Sequence, residues 1–144
     1  MRTTMAALLG LIVAMTMAAC DGGGERLTEE EFVTQANDAC EEGNQAIADA
    51  ADEISASGAQ PTDDQLEDFV GMIVTAIQGQ IDAIAALNPP EDLESDVDAM
   101  IAELQSSLDE LEGQGAAALQ SQENPFAEAN EMAGDLGLTV CAEG

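Results

Sequence analysis

The stretch Thr28-Glu29-Glu30-Glu31-Phe32-Val33-Thr34-Gln35-Ala36-Asn37-Asp38-Ala39-Cys40 contains the start of a helix and the first residues of its buried face. Thr28 and Glu31 have the spacing of a capping box, in which each side chain binds a backbone N–H group that the first turn leaves free. Apolar or small residues then recur at helical spacing, as Phe32, Ala36, Cys40, Gly43, Ile47, Ala50 and Ile54. The pattern predicts one amphipathic helix that ends near Ser57-Gly58.

Two further helices are predicted downstream. Thr62 and Gln65 form a second capping box, and the apolar stripe that follows consists of Leu66, Phe69, Val70, Ile73, Ile77, Ile81, Ile84 and Leu87. Asn88-Pro89-Pro90 ends this helix, but proline is favoured in a first turn, so a third helix is expected from about Pro90. Its inward residues are Leu93, Val97, Met100, Ile101, Leu104, Leu108 and Leu111. Glycines at 113 and 115 weaken its end, which leaves open whether the helix is straight or broken before Leu119.

Asn124 and Pro125 predict the start of a last helix, which runs to Leu136 and stops at a left-handed Gly137. The residues from Leu138 to Cys141 are then expected to form a short extended tail. No alternating pattern rich in β-branched residues is found, so strands are not expected. The predicted fold class is all-α, an up-down bundle of about four helices over residues 28–144.

The charge balance is extreme, with 30 acidic residues against two basic ones and a formal net charge of −28. The two bases are Arg2 and Arg26. Such a surface argues against nucleic acid as a partner and against electrostatic adhesion to anionic lipids. Two interpretations remain: the acidic residues are solvated faces that keep the protein soluble, or they attract cations or basic partners.

The N-terminal region has the features of an export signal. Arg2 precedes an uncharged run from Met5 to Ala19, which has the length of a signal-peptide core, so residues 1–19 are interpreted as a signal peptide. Met17-Ala18-Ala19-Cys20 resembles the lipobox of bacterial lipoproteins. This resemblance implies that Cys20 becomes an acylated N-terminus and that residues 20–27, with three successive glycines, form a flexible linker. The alternative is plain secretory cleavage that leaves Cys20 an ordinary thiol.

The chain has three cysteines. Lipidation of Cys20 would leave Cys40 and Cys141, which can form a disulfide in an oxidising exterior. They can also be read as two separate buried thiols. A structural zinc site is not supported, because the chain has no histidine and no Cys-x-x-Cys pair.

Both ends of the predicted domain are similar to one family. The residues Glu31 to Cys40, Asn124-Pro125-Phe126 and the ending Leu136-Gly137-Leu138-Thr139-Val140-Cys141 resemble small exported helical lipoproteins of actinobacteria. The resemblance supports an extracytoplasmic location and the disulfide between Cys40 and Cys141. It implies no catalytic residues, because the family has no assigned activity.

The residue types argue against catalysis. The chain has no histidine, lysine, tyrosine or tryptophan, so the usual general bases, Schiff-base lysines and phenolic proton donors are missing, and the serines have no base to activate them. The acidic run from Glu91 to Asp98 lacks the ligand order of an EF-hand and is better explained as carboxylates at a helix start. Met72, Met100 and Met132 are interpreted as core residues rather than metal ligands. No catalytic residue, metal ligand or cofactor is predicted.

The sequence therefore predicts a non-catalytic binding or interaction module of the cell envelope. It would be held by the lipid at Cys20 on the extracytoplasmic face of the cell membrane, where its partner would be an envelope protein or a cationic ligand. The alternative function is a divalent-cation or cationic-ligand binder of low specificity.

Overall fold

The computed structural model describes residues 25–56, 58–121 and 124–144, and in these residues the chain is helical with no strand. The predicted signal peptide, the lipidation site Cys20 and most of the linker lie outside the described residues. The helices are α1 (Glu29–Ser55), α2 (Asp63–Ala85), α3 (Glu94–Gln114), a 3₁₀ segment (Gly115–Gln120), α4 (Ala127–Asp135) and α5 (Thr139–Ala142).

The four longer helices run alternately up and down. The amide of Leu27 donates to the carbonyl of Asn88 over 2.8 Å, which places the start of α1 beside the end of α2. The amide of Ala116 donates to Glu67 Oε1 over 3.1 Å, so the start of α2 lies beside the end of α3. Residues from the start of α3 and the end of α4 line the same surface depression. The predicted all-α, up-down bundle is confirmed.

The core lies where the apolar stripes meet, in two clusters of buried side chains. The larger cluster joins all four long helices to the C-terminal segment and contains Phe32, Ala36, Cys40, Ile84, Val97, Met100, Ala133, Leu136 and Leu138. The smaller one contains Ile77, Ile81 and Leu108. Met100 is fully buried as predicted, but the expectation for Met72 is wrong: it is 38 % exposed, because its position on α2 is turned away from the stripe.

Two of the four predicted helix starts are confirmed, and two need correction. Thr28 and Thr62 form complete capping boxes with Glu31 and Gln65. Helix α3 does not begin at about Pro90 but at Glu94, because the Pro90 carbonyl accepts from the amides of residues 93 and 94 in a separate turn. After α3, the chain turns at a left-handed Gly115 (φ 56°) and continues as the 3₁₀ segment.

The predicted last helix is shorter than expected. Asn124 caps a turn, since its Oδ1 accepts from the Phe126 amide over 2.9 Å, and α4 starts only at Ala127. Gly137 is the left-handed stop, with φ 77°. The amides of Gly137 and Leu138 donate back into the last turn of α4, which is the pattern of a Schellman motif. The tail beyond it is the one-turn helix α5 instead of an extended strand.

Cys40 and Cys141 form a disulfide with a Cα–Cα distance of 5.1 Å, so the interpretation as two separate thiols is wrong. Amide side chains of α1 reinforce this junction. Asn37 Oδ1 accepts from the Val140 amide over 2.9 Å, and Asn44 Nδ2 donates to the Val140 carbonyl over 3.2 Å. The last turn of the chain is therefore held against α1 by one covalent bond and two hydrogen bonds.

A single glutamine connects α2 to the same region of α1. Gln80 Nε2 donates to the carbonyl of Cys40 over 3.0 Å and to Asn44 Oδ1 over 3.1 Å. The Gln80 side chain lies directly over Gly43, where an added Cβ would overlap its carboxamide. Gly43 is buried for this reason, and it lets the amide bridge form between the two helices.

This contact gives a prediction that compares two helical glycines. Gly43→Ala should destabilise the fold by about 1 to 3 kcal/mol, because the new methyl group displaces Gln80 and breaks its hydrogen bonds. Gly71→Ala, on an exposed part of α2 with open space around it, should stabilise the fold by about 0.5 to 1 kcal/mol through helix propensity. Chemical denaturation measures both. Equal stabilisation by the two substitutions would contradict the proposed packing.

Candidate functional site

A surface depression with a volume of about 790 Å³ lies at the end of the bundle where α1 begins. Three parts of the chain form it: the first turn of α1, the residue that precedes α3, and the Schellman turn that ends α4. An added Cβ at Gly137 would lie 3.9 Å from Val33 Cγ2, which shows how closely α4 ends against α1. The lining residues are Thr28, Glu29, Glu30, Val33, Leu93, Gly134, Asp135, Leu136 and Gly137.

A second depression of about 280 Å³ adjoins the first. The two share Leu93, Asp135 and Leu136, and the second adds Asp96 and Met132. Leu93 and Leu136 border both depressions, which we treat as two lobes, and we call this shared apolar border the ridge. We call these two lobes together the acidic groove.

The acidic groove has an apolar floor and a charged rim. Val33, Leu93 and Met132 are half-buried, and Leu136 is only 9 % exposed. Four exposed carboxylates surround this floor: Glu29 and Glu30 at the α1 end, Asp135 in the middle, and Asp96 at the α3 end. The carboxylates of this region therefore lie beside half-buried apolar side chains.

The groove has little compensating positive charge. In residues 25–56, 58–121 and 124–144 the only ion pair joins Arg26 Nη2 to Glu94 Oε2 over 2.8 Å, and Arg26 Nη1 also donates to the Pro89 carbonyl over 2.9 Å. The single base is thus held at the turn before α3. Asp135 occupies the last turn of α4, which has no basic residue, so the carboxylate adds to the negative end of the helix dipole.

Glu31 lies one residue beyond the groove and belongs to the cap of α1. Its Oε2 accepts from the Thr28 amide over 3.0 Å and from the Thr28 hydroxyl over 2.7 Å. These two hydrogen bonds stabilise the carboxylate and lower the pKa of Glu31 below its ordinary value of 4.5. Glu31 therefore fixes the first turn of α1, on which Glu29, Glu30 and Val33 are placed.

The other depressions differ from the groove in size or position. A cavity of about 50 Å³ next to the disulfide is mostly apolar, and it is far smaller than a typical pocket of about 300 to 1,000 Å³ for a small molecule. A shallow depression of about 270 Å³ follows small residues on the outer face of α1 and α2. A third, of about 430 Å³, lies at the opposite end of the bundle between Glu53, Ile54, Gln65, Asp68 and Met72.

The structure brings some of the sequence-predicted residues together. Cys40 and Cys141 are bonded, whereas Cys20 is outside the described residues. The acidic run at 91–98 divides, since Glu94 pairs with Arg26 while Asp96 joins the rim of the groove. In the described part of the chain, no group of three or more Asp, Glu or Cys side chains is arranged to hold a metal ion.

Sequence reasoning missed the acidic groove as a site. Val33 lies outside the predicted stripe of the first helix. Leu136 belongs to the core and Leu93 packs against it, as predicted, but both also line the groove. The available signal was an apolar residue inside an acidic run, as at Leu93. An apolar residue in an acidic run indicates a site only when the packing is known, because the groove forms where the ends of α1, α3 and α4 meet.

Comparisons with protein-family models, curated proteins and solved structures find no match to this chain. A search of the described residues for a helix with the length and hydropathy of a membrane span finds none.

The cap of α1 gives a prediction about pH. Thr28→Ala removes the hydroxyl donor but leaves the backbone donor, so the pKa of Glu31 should rise part of the way towards 4.5. A lowered folded pKa contributes stability above pH 4.5 that is lost as the pH falls through the folded value. The destabilisation caused by Thr28→Ala should therefore be largest near neutral pH and smaller in acid. NMR titration of Glu31 and denaturation at several pH values measure these effects.

Thr75→Ala is the control for this prediction, because the Thr75 hydroxyl donates to the carbonyl of Gly71 and to no carboxylate. Its effect on stability should not follow the titration of Glu31. A pKa of Glu31 that is the same in the wild type and in Thr28→Ala would contradict the role given to the hydroxyl.

Proposed function

We propose that this protein is a lipid-anchored, extracytoplasmic interaction module of the cell envelope that has no catalytic activity. The acyl anchor would be attached to Cys20, after removal of residues 1–19, and the bundle would present a binding surface to another envelope component. The observation that carries the interaction role is the acidic groove, a two-lobed depression with half-buried apolar side chains between carboxylates. Apolar patches that are rimmed by polar groups are typical of protein interaction sites.

The position of the groove agrees with an anchor at Cys20. Four residues lie between Cys20 and Glu25, so five steps along the chain span at most about 18 Å in any conformation. The groove lies on the first turn of α1, at the same end of the bundle as Glu25. A partner in the same membrane could therefore reach the groove without a long extension.

The chemistry of the groove favours binding over catalysis. Its polar side chains are four carboxylates and the Thr28 hydroxyl, and the chain has no histidine or lysine that could serve beside them as a base or nucleophile. A cation-binding role has no specific support, since the groove carboxylates are not among any group of three suited to a metal in the described residues.

The anchor is tested by Cys20→Ser. Acylation requires the thiol, so the variant should leave the membrane fraction or accumulate with its signal peptide uncleaved. Cell fractionation followed by intact-mass measurement distinguishes these two results from the acylated wild-type protein. A variant that sediments with membranes to the wild-type extent, with its signal peptide removed, would contradict lipid anchoring.

The interaction role is tested by crosslinking in native membranes and co-purification of the full anchored chain. Asp135→Lys reverses a charge in the groove, and Asp68→Lys makes the same change in net charge in the depression at the opposite end of the bundle. A partner recovered with the wild type should be retained by Asp68→Lys and reduced about fivefold or more by Asp135→Lys. Equal recovery with both variants would show that the groove is not the interaction surface.

A further inference from the structure

We infer that the acidic groove binds a basic amphipathic segment of a partner protein, in which apolar side chains are flanked by Lys or Arg. This inference rests on the proposed function, which assigns the groove to binding but does not specify its occupant. The order of groups along the groove carries the inference. Carboxylates lie at one end, in the middle and at the other end, and an apolar lobe lies in each interval.

The two lobes specify the apolar part of the partner. Val33 contributes to the larger lobe, Met132 contributes to the smaller one, and the Leu93–Leu136 ridge separates them. A segment that crosses the ridge can place one apolar side chain in each lobe. This removes half-buried leucine, valine and methionine surface from water, and burial of apolar surface contributes about 25 cal/mol per Å².

The rim specifies the charged part. Asp135 adds its charge to the negative end of the α4 dipole, and Glu29 and Glu30 outweigh the positive end of α1. Arg26 is already bound to Glu94 and to the Pro89 carbonyl. A Lys or Arg that crosses the ridge would meet Asp135, and bases at its two ends would meet Glu30 and Asp96.

Other occupants fit less well. A second copy of this chain carries a formal charge of −28, so two grooves or a groove and an acidic face repel each other. The linker of the chain itself contains one base, Arg26, which is already bound to Glu94 and the Pro89 carbonyl. Nucleic acids and anionic lipid surfaces have the same sign of charge as the rim.

Binding can be measured with a synthetic basic amphipathic peptide that carries one tryptophan among its apolar residues. The full protein contains no tryptophan or tyrosine, so the emission reports on the peptide alone. The protein is anchored in zwitterionic phosphatidylcholine vesicles, and vesicles without protein give the blank. Titration at physiological ionic strength should shift the tryptophan emission to shorter wavelength as the residue enters an apolar lobe.

Two comparison peptides separate the contributions. A second peptide keeps the same bases but has serine in place of the apolar residues. It should bind at least about tenfold more weakly, because it cannot fill the lobes. A peptide in which glutamate replaces every base should not bind. Equal binding of the basic peptides with and without apolar residues would reduce the interaction to general charge attraction and overturn the inference.

Two protein variants locate the site. Asp135→Lys should weaken binding about tenfold, whereas Asp68→Lys should change it less than about twofold. Asp68 lies in the depression that contains Glu53, and roughly 35 Å of α1 separates Glu53 from Glu30 in the groove. Salt screens charge interactions beyond about 8 Å, so the distant substitution should have little effect. Asp135→Lys should remain folded, since a lysine in the last turn of α4 is favourable to the helix dipole. Equal effects of the two variants would overturn the location.

Calcium provides the last comparison. Calcium chloride and sodium chloride of equal ionic strength should weaken peptide binding to a similar extent, as expected for screening. Displacement by calcium at much lower ionic strength would assign the groove to a divalent cation and overturn the inference.

If a native partner depends on Asp135 but the peptide does not bind, the inference fails while the interaction role stands. If the recovery of a native partner is also unchanged by Asp135→Lys, both the inference and the proposed interaction role fail.

Discussion

The bond between Cys40 and Cys141 is the constraint on which the rest of the bundle depends. It closes a loop of 101 residues that contains α2, α3 and α4, and in the chain-entropy model such a bond stabilises a fold by about 4 to 5 kcal/mol. Because Asn37 and Asn44 also hold Val140, the end of the chain has a fixed position on α1. Helix α4 must then end beside the start of α1, and this meeting of two helix ends forms the wall of the acidic groove.

Near-absence of positive charge determines which interactions can connect the helices. A bundle with one ion pair in its described residues cannot use salt-bridge networks, so single hydrogen bonds replace them. Helices α1 and α2 begin with side-chain caps, and the α1–α2 contact uses the carboxamide of Gln80 between the Cys40 carbonyl and Asn44. A buried amide needs only hydrogen-bond partners, whereas a buried charge also carries a large desolvation penalty. Self-repulsion of the surface adds to the importance of the disulfide.

Local signals in the sequence were sufficient for the fold class and for most helix boundaries. The Thr28 and Thr62 boxes and the stop at Gly137 depend on residues within one turn, and the structure confirms them. Errors arose where tertiary contacts decide. The segment before α3 forms a separate turn that Arg26 and Leu27 contact from another part of the chain. Residues 139–142 form a helical turn that α1 holds through Val140 and Cys141. The Gly43–Gln80 contact depends on helix packing that the sequence pattern does not encode.

The difference between local signals and tertiary contacts also explains why the groove was harder to recognise from the sequence than the disulfide. A carboxylate in this chain carries little information, because 30 of 144 residues are acidic and most lie on solvated faces. Glu30, Asp96 and Asp135 border half-buried apolar surface, and that surface exists only because three helix ends converge. An acidic protein can attract any basic partner at long range, but salt screens that attraction within about 8 Å. Selectivity among basic partners therefore has to come from contact with the apolar lobes, where a partner of the wrong shape or polarity gains nothing from the surrounding charge.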